Sequence, residues 1–380
     1  MYTKRTSAID SFHWNNVIVN IVMIMNNEEE LSHMEIQKQK FHKIFENVTK
    51  KKQIHESVLL VENSNGDLSY SFEYGGKNVD TPFLVASITK LFTTTCIFIL
   101  KEQGKLSLDD EISRYFKEDT LRNLHVYKGQ DYSNRLTISN LLFHTSGLRD
   151  VIEEGSIKSK KRAIYKDVHI DFNGTLKKTK EIKPHFSPDM GKRAHYANIN
   201  FELLGKIIEI VTNSTLEDVY KQLIFDPLEL KNTYLPIDED DFIPYVYYKD
   251  TALHRPKLLR SIRASGGCVS TARELMIFLK AFSKGKLFNK TVFHELKVNN
   301  RLQVSMLPIH YGAGYMRVPL NGLATLFMGK GELIGHSGST GSLAFYYPEK
   351  DMFFIGDVNQ MVNPAIPVRL AMRLAMSMKS

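Results

Sequence analysis

Apolar positions Ile36, Phe41, Ile44, Phe45 and Val48 fall on one stripe at helical spacing, so residues 34–50 are expected to form an amphipathic helix. Residues 57–63, SVLLVEN, read as a strand, Ser64-Asn65-Gly66-Asp67 as a turn, and Leu68–Tyr74 as the returning strand of a hairpin. After Pro82–Ala86 the pattern turns helical from Ser87 to Gln103 and stops at Gly104. Further helices are expected over 137–143 and 201–213, the second closed by Asn213 as a left-handed cap, and over 270–282 with a serine cap. The lysine-rich segment 151–182 reads as a loop or insertion. The last third alternates like strands at Leu333–His336, Leu343–Tyr347 and Met352–Asp357, and a final helix spans about 364–378. Strands at both ends with helices between them predict an α+β protein, its sheet drawn from both ends of the chain around an inserted helical region.

Composition agrees with a folded chain. The 380 residues are 43% hydrophobic and include 22 Phe and 17 Tyr, enough for a sizeable core, so disorder is excluded. Only Cys96 and Cys268 are present, which excludes a disulfide scaffold and a four-cysteine zinc site. Both sit in apolar surroundings and read as buried free thiols.

The net charge of +8 is spread over short clusters such as Lys50–Lys52 and Lys158–Arg162. None is interleaved with aromatics as a base-stacking surface would be, so a solvated surface is expected and no nucleic-acid partner. Val17–Met25 is too short to span a bilayer, which needs ~20 apolar residues, and no firm membrane association is expected. Lys4 and Arg5 precede it, but Asn20 interrupts it and no small-residue cleavage site follows. A cytoplasmic location is favoured over export on an uncleaved signal.

Candidate chemistry sits in three short patterns. Ser87-Ile88-Thr89-Lys90 puts a hydroxyl and an amine on one face at a helix N-terminus, where free N–H groups and the helix dipole favour a developing oxyanion. A serine hydroxyl is a poor nucleophile until a base accepts its proton, and a partly desolvated lysine can be that base or hold it. Tyr196-Ala197-Asn198 pairs a phenol, which as phenolate can act as general base, with an amide that can bind a carbonyl or Lys90. His336-Ser337-Gly338 ends a strand-like run with a polar group and a glycine that admits close backbone approach. Each pattern has a decoy: Ser283-Lys284-Gly285-Lys286, Tyr132-Ser133-Asn134 and His310-Tyr311-Gly312. The tripeptides alone therefore decide nothing.

Their order and flanks do. Ser87…Lys90, Tyr196…Asn198 and His336…Gly338 resemble the serine β-lactamase and penicillin-binding-protein superfamily, in its class C-like, DD-peptidase-like and esterase-like branch. Gly104-Lys105-Leu106-Ser107-Leu108-Asp109-Asp110, the run Leu136–Leu148 with His144-Thr145-Ser146-Gly147, Asn200–Glu209, Phe225-Asp226-Pro227-Leu228 and Ser265-Gly266-Gly267 extend the resemblance over about 55–375. It implies a β-lactamase/transpeptidase-like fold: an antiparallel sheet flanked by helices, with an inserted all-helical domain. The expected division is an N-terminal extension and helix over 1–54, a discontinuous sheet domain over 55–92 plus 261–380, and a helical domain over 93–260 with a variable rim at 151–182.

The resemblance also implies roles. Ser87 is the acylated nucleophile, Lys90 helps remove its proton, and Tyr196 is the general base. Asn198, His336, Gly338 and Ser339 bind substrate, and the backbone N–H groups of Ser87 and Ser339 form the oxyanion hole. No metal or cofactor is implied, and the partner is a small-molecule or peptide substrate. His144 is expected to tie its turn to a helix end, and His195 to be a pocket wall or surface group.

Three departures matter. His336 stands where lactamases carry lysine, and imidazole titrates near neutrality, so the site holds less fixed positive charge for a lactam carboxylate. Ala197 replaces the usual serine, small for small. The loop Phe186–Gly191 carries extra residues. The expected activity is hydrolysis of an amide or ester by a peptidase- or esterase-type member. True β-lactamase or DD-carboxypeptidase activity is the alternative, and a non-catalytic binding or sensing homologue the distant one.

Overall fold

The computed structural model describes residues 32–151, 154, 164–188, 193–296 and 300–378. Val17–Met25 lies outside the described residues, as do parts of the 151–182 and 186–191 segments. The expected N-terminal helix is present as α1, residues 32–49. Phe41, Phe45 and Val48 are its buried stripe, whereas Ile36 is exposed.

The hairpin forms β1 (Ser57–Asn63) and β2 (Ser69–Tyr74), antiparallel with Leu59 opposite Phe72. The C-terminal third supplies β3 (Asn300–Arg301), β4 (His310–Tyr311), β5 (Met316–Pro319), β6 (Glu332–Ser337), β7 (Ser342–Tyr347) and β8 (Met352–Asp357). Together they make one eight-stranded antiparallel sheet in the order β2-β1-β8-β7-β6-β5-β4-β3. The two chain ends thus meet at the β1–β8 pair. Every residue of β8 is buried, as a continuous apolar run requires.

Adjacent residues of β8 point to opposite faces. Phe354 meets Phe41 of α1 edge-on, while Phe353 lies beneath the Lys280 ammonium. Lys280 belongs to a helix over Ala272–Lys284, so helices cover both faces. At the end of β8, Lys77 donates to Asp357 (2.7 Å) and Glu56 (3.0 Å). Lys77 and Asp357 are both buried, and this paired charge pins the segment after the hairpin to the sheet.

Five further helices frame the site. They are α2 (Thr89–Glu102), entered through a tight turn over Ala86–Ile88, then α3 (Ile138–Leu142), α4 (Phe172–Lys180), α5 (Asn198–Thr212) and α6, the Ala272–Lys284 helix; α7 (Ile366–Ser377) closes the chain against β6 and β7. Asn213 ends α5 in the left-handed conformation (φ 51°), as expected.

Two expectations are corrected. Segment 151–182 is not all loop: α4 forms because the Asp171 carboxylate accepts the Gly174 N–H (2.7 Å) as N-cap, and Leu176 and Thr179 are buried. The cap of α6 is Thr271, whose hydroxyl accepts the Glu274 N–H (3.2 Å), rather than the preceding serine. Cys96 and Cys268 are buried free thiols, and burial raises both, Cys268 to about 12. Among the described residues no helix is long and apolar enough to cross a membrane.

Candidate active site

Ser87 sits in the tight turn that feeds α2, half-buried, with Ala86 before it in the left-handed region (φ 46°). One helical turn on, Lys90 is fully buried. Its ammonium donates to Ser87 Oγ (3.2 Å), Asn198 Oδ1 (2.8 Å) and the Ser265 carbonyl (2.6 Å). It also lies 4.9 Å from the centre of the Tyr196 ring and 5.4 Å from that of Phe201. Residues from three distant parts of the sequence thus converge on one amine.

Asn198 opens α5, and its N–H donates to Asp150 (2.5 Å). The Ser265 carbonyl is held in turn: the Glu202 carboxylate accepts the Ser265 N–H (3.0 Å), and Thr93 donates to the Ala264 carbonyl (2.7 Å). Burial pushes the Glu202 carboxyl up, partly offset by hydrogen bonds from the Ser265 side chain and N–H and by the Lys90 charge.

Tyr196 is nearly buried, and its N–H donates to Gln303 Oε1 (3.0 Å). Its ring packs against His144 (4.5 Å), Tyr311 (6.0 Å) and His336 (6.2 Å) between centres. His144 does tie its turn to a helix end. Its Nδ1 accepts the Ala197 N–H (3.3 Å) and the Asn200 side-chain N–H (2.9 Å), so the ring proton resides on Nε2.

The β6–β7 turn closes the other side. Thr340 donates to the Leu84 carbonyl (2.7 Å) and Ser342 to the Val85 carbonyl (2.8 Å), stapling the turn to the strand that delivers Ser87. Gly338 lies so close that a Cβ there would come within 2.2 Å of Ser342 Oγ and 2.6 Å of the Val85 carbonyl oxygen. Ser339 is exposed at the turn tip. The structure therefore gathers Ser87, Lys90, Tyr196, Asn198, His336 and Gly338 around one spot, with Ser339 next along the turn. The decoy Ser283-Lys284 ends α6 against Asp351 of the β7–β8 turn.

The neutral-pH titration expected of His336 is corrected. The imidazole is fully buried on β6, with Nδ1 2.8 Å from the Ser337 carbonyl and Nε2 3.3 Å from the Tyr311 hydroxyl. Burial first, and the Lys90 charge second, push it down to about 3. His336 is therefore neutral across the working range. His336→Gln should leave the midpoints of a pH–rate profile between pH 5 and 8 in place; a midpoint that vanishes in the variant would show that the imidazole titrates after all. Stability carries the signature instead. The unfolded imidazole takes up a proton near pH 6.5 while the folded one resists to about 3, so the contribution is whole above 6.5 and lost as pH falls, roughly 3 kcal/mol by pH 4. Urea unfolding between pH 7 and 4 should show a shallower decline in His336→Gln.

Three contributors escape motif reading. They are the Ser265 carbonyl on Lys90, Gln303 on the Tyr196 backbone, and the Tyr311 phenol against His336. In the sequence Tyr311 stands only inside the decoy His310-Tyr311-Gly312. A separate cavity of about 1140 Å³ lined by Glu202, Lys206, Arg260 and Arg263 contains none of Ser87, Lys90 and Tyr196.

Comparison with known proteins agrees with the architecture. Among curated proteins, Protein flp of Staphylococcus aureus is 30% identical over 186 residues, covering 47% of this chain and 34% of that protein. The chain thus matches about a third of that relative's length. Teichoic acid D-alanine hydrolase of Staphylococcus aureus is 27% identical over 288 residues, 72% of this chain and 65% of that protein. Among solved structures, D-amino acid amidase from Ochrobactrum anthropi SV3 superposes with a TM-score of 0.72 at 19% identity, over 90% of this chain and 98% of that one. The Beta-lactamase family model matches residues 46–375, a span that holds the whole sheet and every residue gathered around Lys90, and the chain belongs to the beta-lactamase family.

Proposed function

We propose that the protein is a serine hydrolase that cleaves an amide or ester bond through an acyl-enzyme on Ser87. The observation that carries this is the buried Lys90 ammonium, held on Ser87 Oγ, Asn198 Oδ1 and the Ser265 carbonyl beside the Tyr196 ring. A cation so placed lowers the cost of a phenolate at Tyr196 and orders the serine hydroxyl for attack.

Ser87 Oγ bonds to the substrate carbonyl carbon as its proton passes to the Tyr196–Lys90 pair. The oxyanion is received by the backbone N–H groups of Ser87 and Ser339. Collapse breaks the bond to the amine or alcohol, which leaves with that proton. Water, deprotonated by the same pair, then attacks the ester carbon, releases the acid and restores Ser87. Asn198 holds the substrate amide, Gly338 lets its backbone approach, and His336 serves as a neutral wall.

A neutral residue at 336 offers a lactam carboxylate no charge, which supports peptidase- or esterase-type substrates over β-lactams. One relative is named for teichoic acid D-alanine and one structural neighbour for D-amino acid amides, so D-aminoacyl esters and amides head the substrate panel. A fluorophosphonate probe should add one equivalent, located on Ser87 by mass spectrometry and absent in Ser87→Ala. No label, together with no turnover of esters, D-amino-acid amides or β-lactams, would leave only a binding role.

A further inference from the structure

Beside the proposed catalytic groups, on the rim, a second cluster forms that the hydrolytic chemistry does not use. The Glu154 carboxylate meets His185 Nε2 through one oxygen and His195 Nε2 through the other, each at 2.8 Å. The two imidazoles lie with their centres 3.8 Å apart and their planes tilted by 36°. All three ligand atoms fall within 4.8 Å of one another and are only partly buried, so an ion can enter from solvent.

The frame is built. The His185 N–H donates to the Gly147 carbonyl and the His195 N–H to the His144 carbonyl, both at 2.8 Å, so one turn carries both histidines. Glu154 is tied to the same stretch: its N–H donates to the Asp150 carbonyl, and its carboxylate accepts the Asp150 N–H, both at 3.1 Å. Among the described residues, the half-buried Arg149 guanidinium lies 3.5 Å from the carboxylate without a hydrogen bond to it, and an arriving ion would displace it.

From this geometry we infer a divalent transition-metal site, of the Zn²⁺ class, formed by Glu154, His185 and His195. Two neutral imidazoles and one carboxylate are the donor set that zinc takes at about 2.0–2.2 Å, with a fourth position left to water. Each neutral imidazole now carries its one ring proton on Nε2, shared with the carboxylate; as the ion takes Nε2 that proton moves by way of solvent to Nδ1, so each ring stays neutral. Because His195 adjoins Tyr196 and Asp150 holds the Asn198 N–H, an ion here clamps the rim on which both site residues hang. The donor set stands independently of the hydrolytic reading.

Zinc titration of the full chain against a chromophoric chelator should find one tight equivalent, weakened at least 100-fold in His185→Ala/His195→Ala. Ser87→Ala should bind zinc as the parent does, which separates this inference from the hydrolase proposal. Cobalt loading gives a readout that keeps both histidines in place: the parent should show a visible d–d band that Glu154→Gln weakens. Equal zinc uptake by parent and double variant, or no uptake by the parent, overturns the site. If the double variant does not fold, an unchanged cobalt spectrum in Glu154→Gln overturns it as well.

Discussion

Lys90→Met should lower kcat/KM by about 10²–10⁴-fold while the protein still folds. Methionine keeps the length and apolar stem of lysine, so the Tyr196 and Phe201 rings keep their neighbour. What disappears is the ammonium that bridges Ser87 Oγ, Asn198 Oδ1 and the Ser265 carbonyl. Leaving the Asn198 and Ser265 oxygens without that donor costs roughly 1–3 kcal/mol each. Removing a fully buried charge offsets much of that loss, because desolvating an ammonium is itself unfavourable. The rate loss is therefore far larger than the stability loss. Lys90→Arg should not rescue, since a planar fork cannot meet three acceptors arranged for a point cation in a packed site. Steady-state kinetics on an ester beside urea unfolding separates the two effects. A Lys90→Met enzyme within tenfold of the parent would remove the amine from the chemistry.

Much of this arrangement is legible from residues close together in the chain. Ser87 and Lys90 share a helix face by spacing alone, and α2, β1, β8 and the Asn213 cap follow from local periodicity and turn chemistry. The residues that finish the site are a different matter. The Ser265 carbonyl is a backbone atom 175 residues from Lys90, and Gln303 reaches Tyr196 across 107 residues, so no local pattern betrays either contact, although Ser265-Gly266-Gly267 itself stands out as a run. Strands β3 and β4 are two residues each, too short for any alternation to register. α4 hides because its lysines and Gly174 argue for loop, while the Asp171 cap and two buried side chains decide for helix. His336 teaches the same lesson in electrostatics. Its reference titration comes from the residue type, and its actual one from complete enclosure beside Lys90, which exists only after folding.

That dependence on close packing is sharpest at Gly338. Gly338→Ala should lower stability by about 1–3 kcal/mol and the rate by about 10²-fold. Its Cβ would stand 2.2 Å from Ser342 Oγ, 2.6 Å from the Val85 carbonyl oxygen and 2.9 Å from Ala86 Cβ. Two of these three belong to the strand and turn that hold Ser87, and the third is the hydroxyl that staples that strand to β7. Relief therefore comes by parting the β6–β7 turn from residues 85–86. That motion pulls the Ser339 N–H away from Ser87, whichever side gives. Gly322→Ala is the matched control, with open space around it and φ at −105°, and should stay within about 0.5 kcal/mol of the parent. Slow turnover with undiminished fluorophosphonate labelling would place the damage in substrate alignment alone. A Gly338→Ala enzyme as stable and as fast as the Gly322→Ala control would mean that the turn does not set the position of the nucleophile.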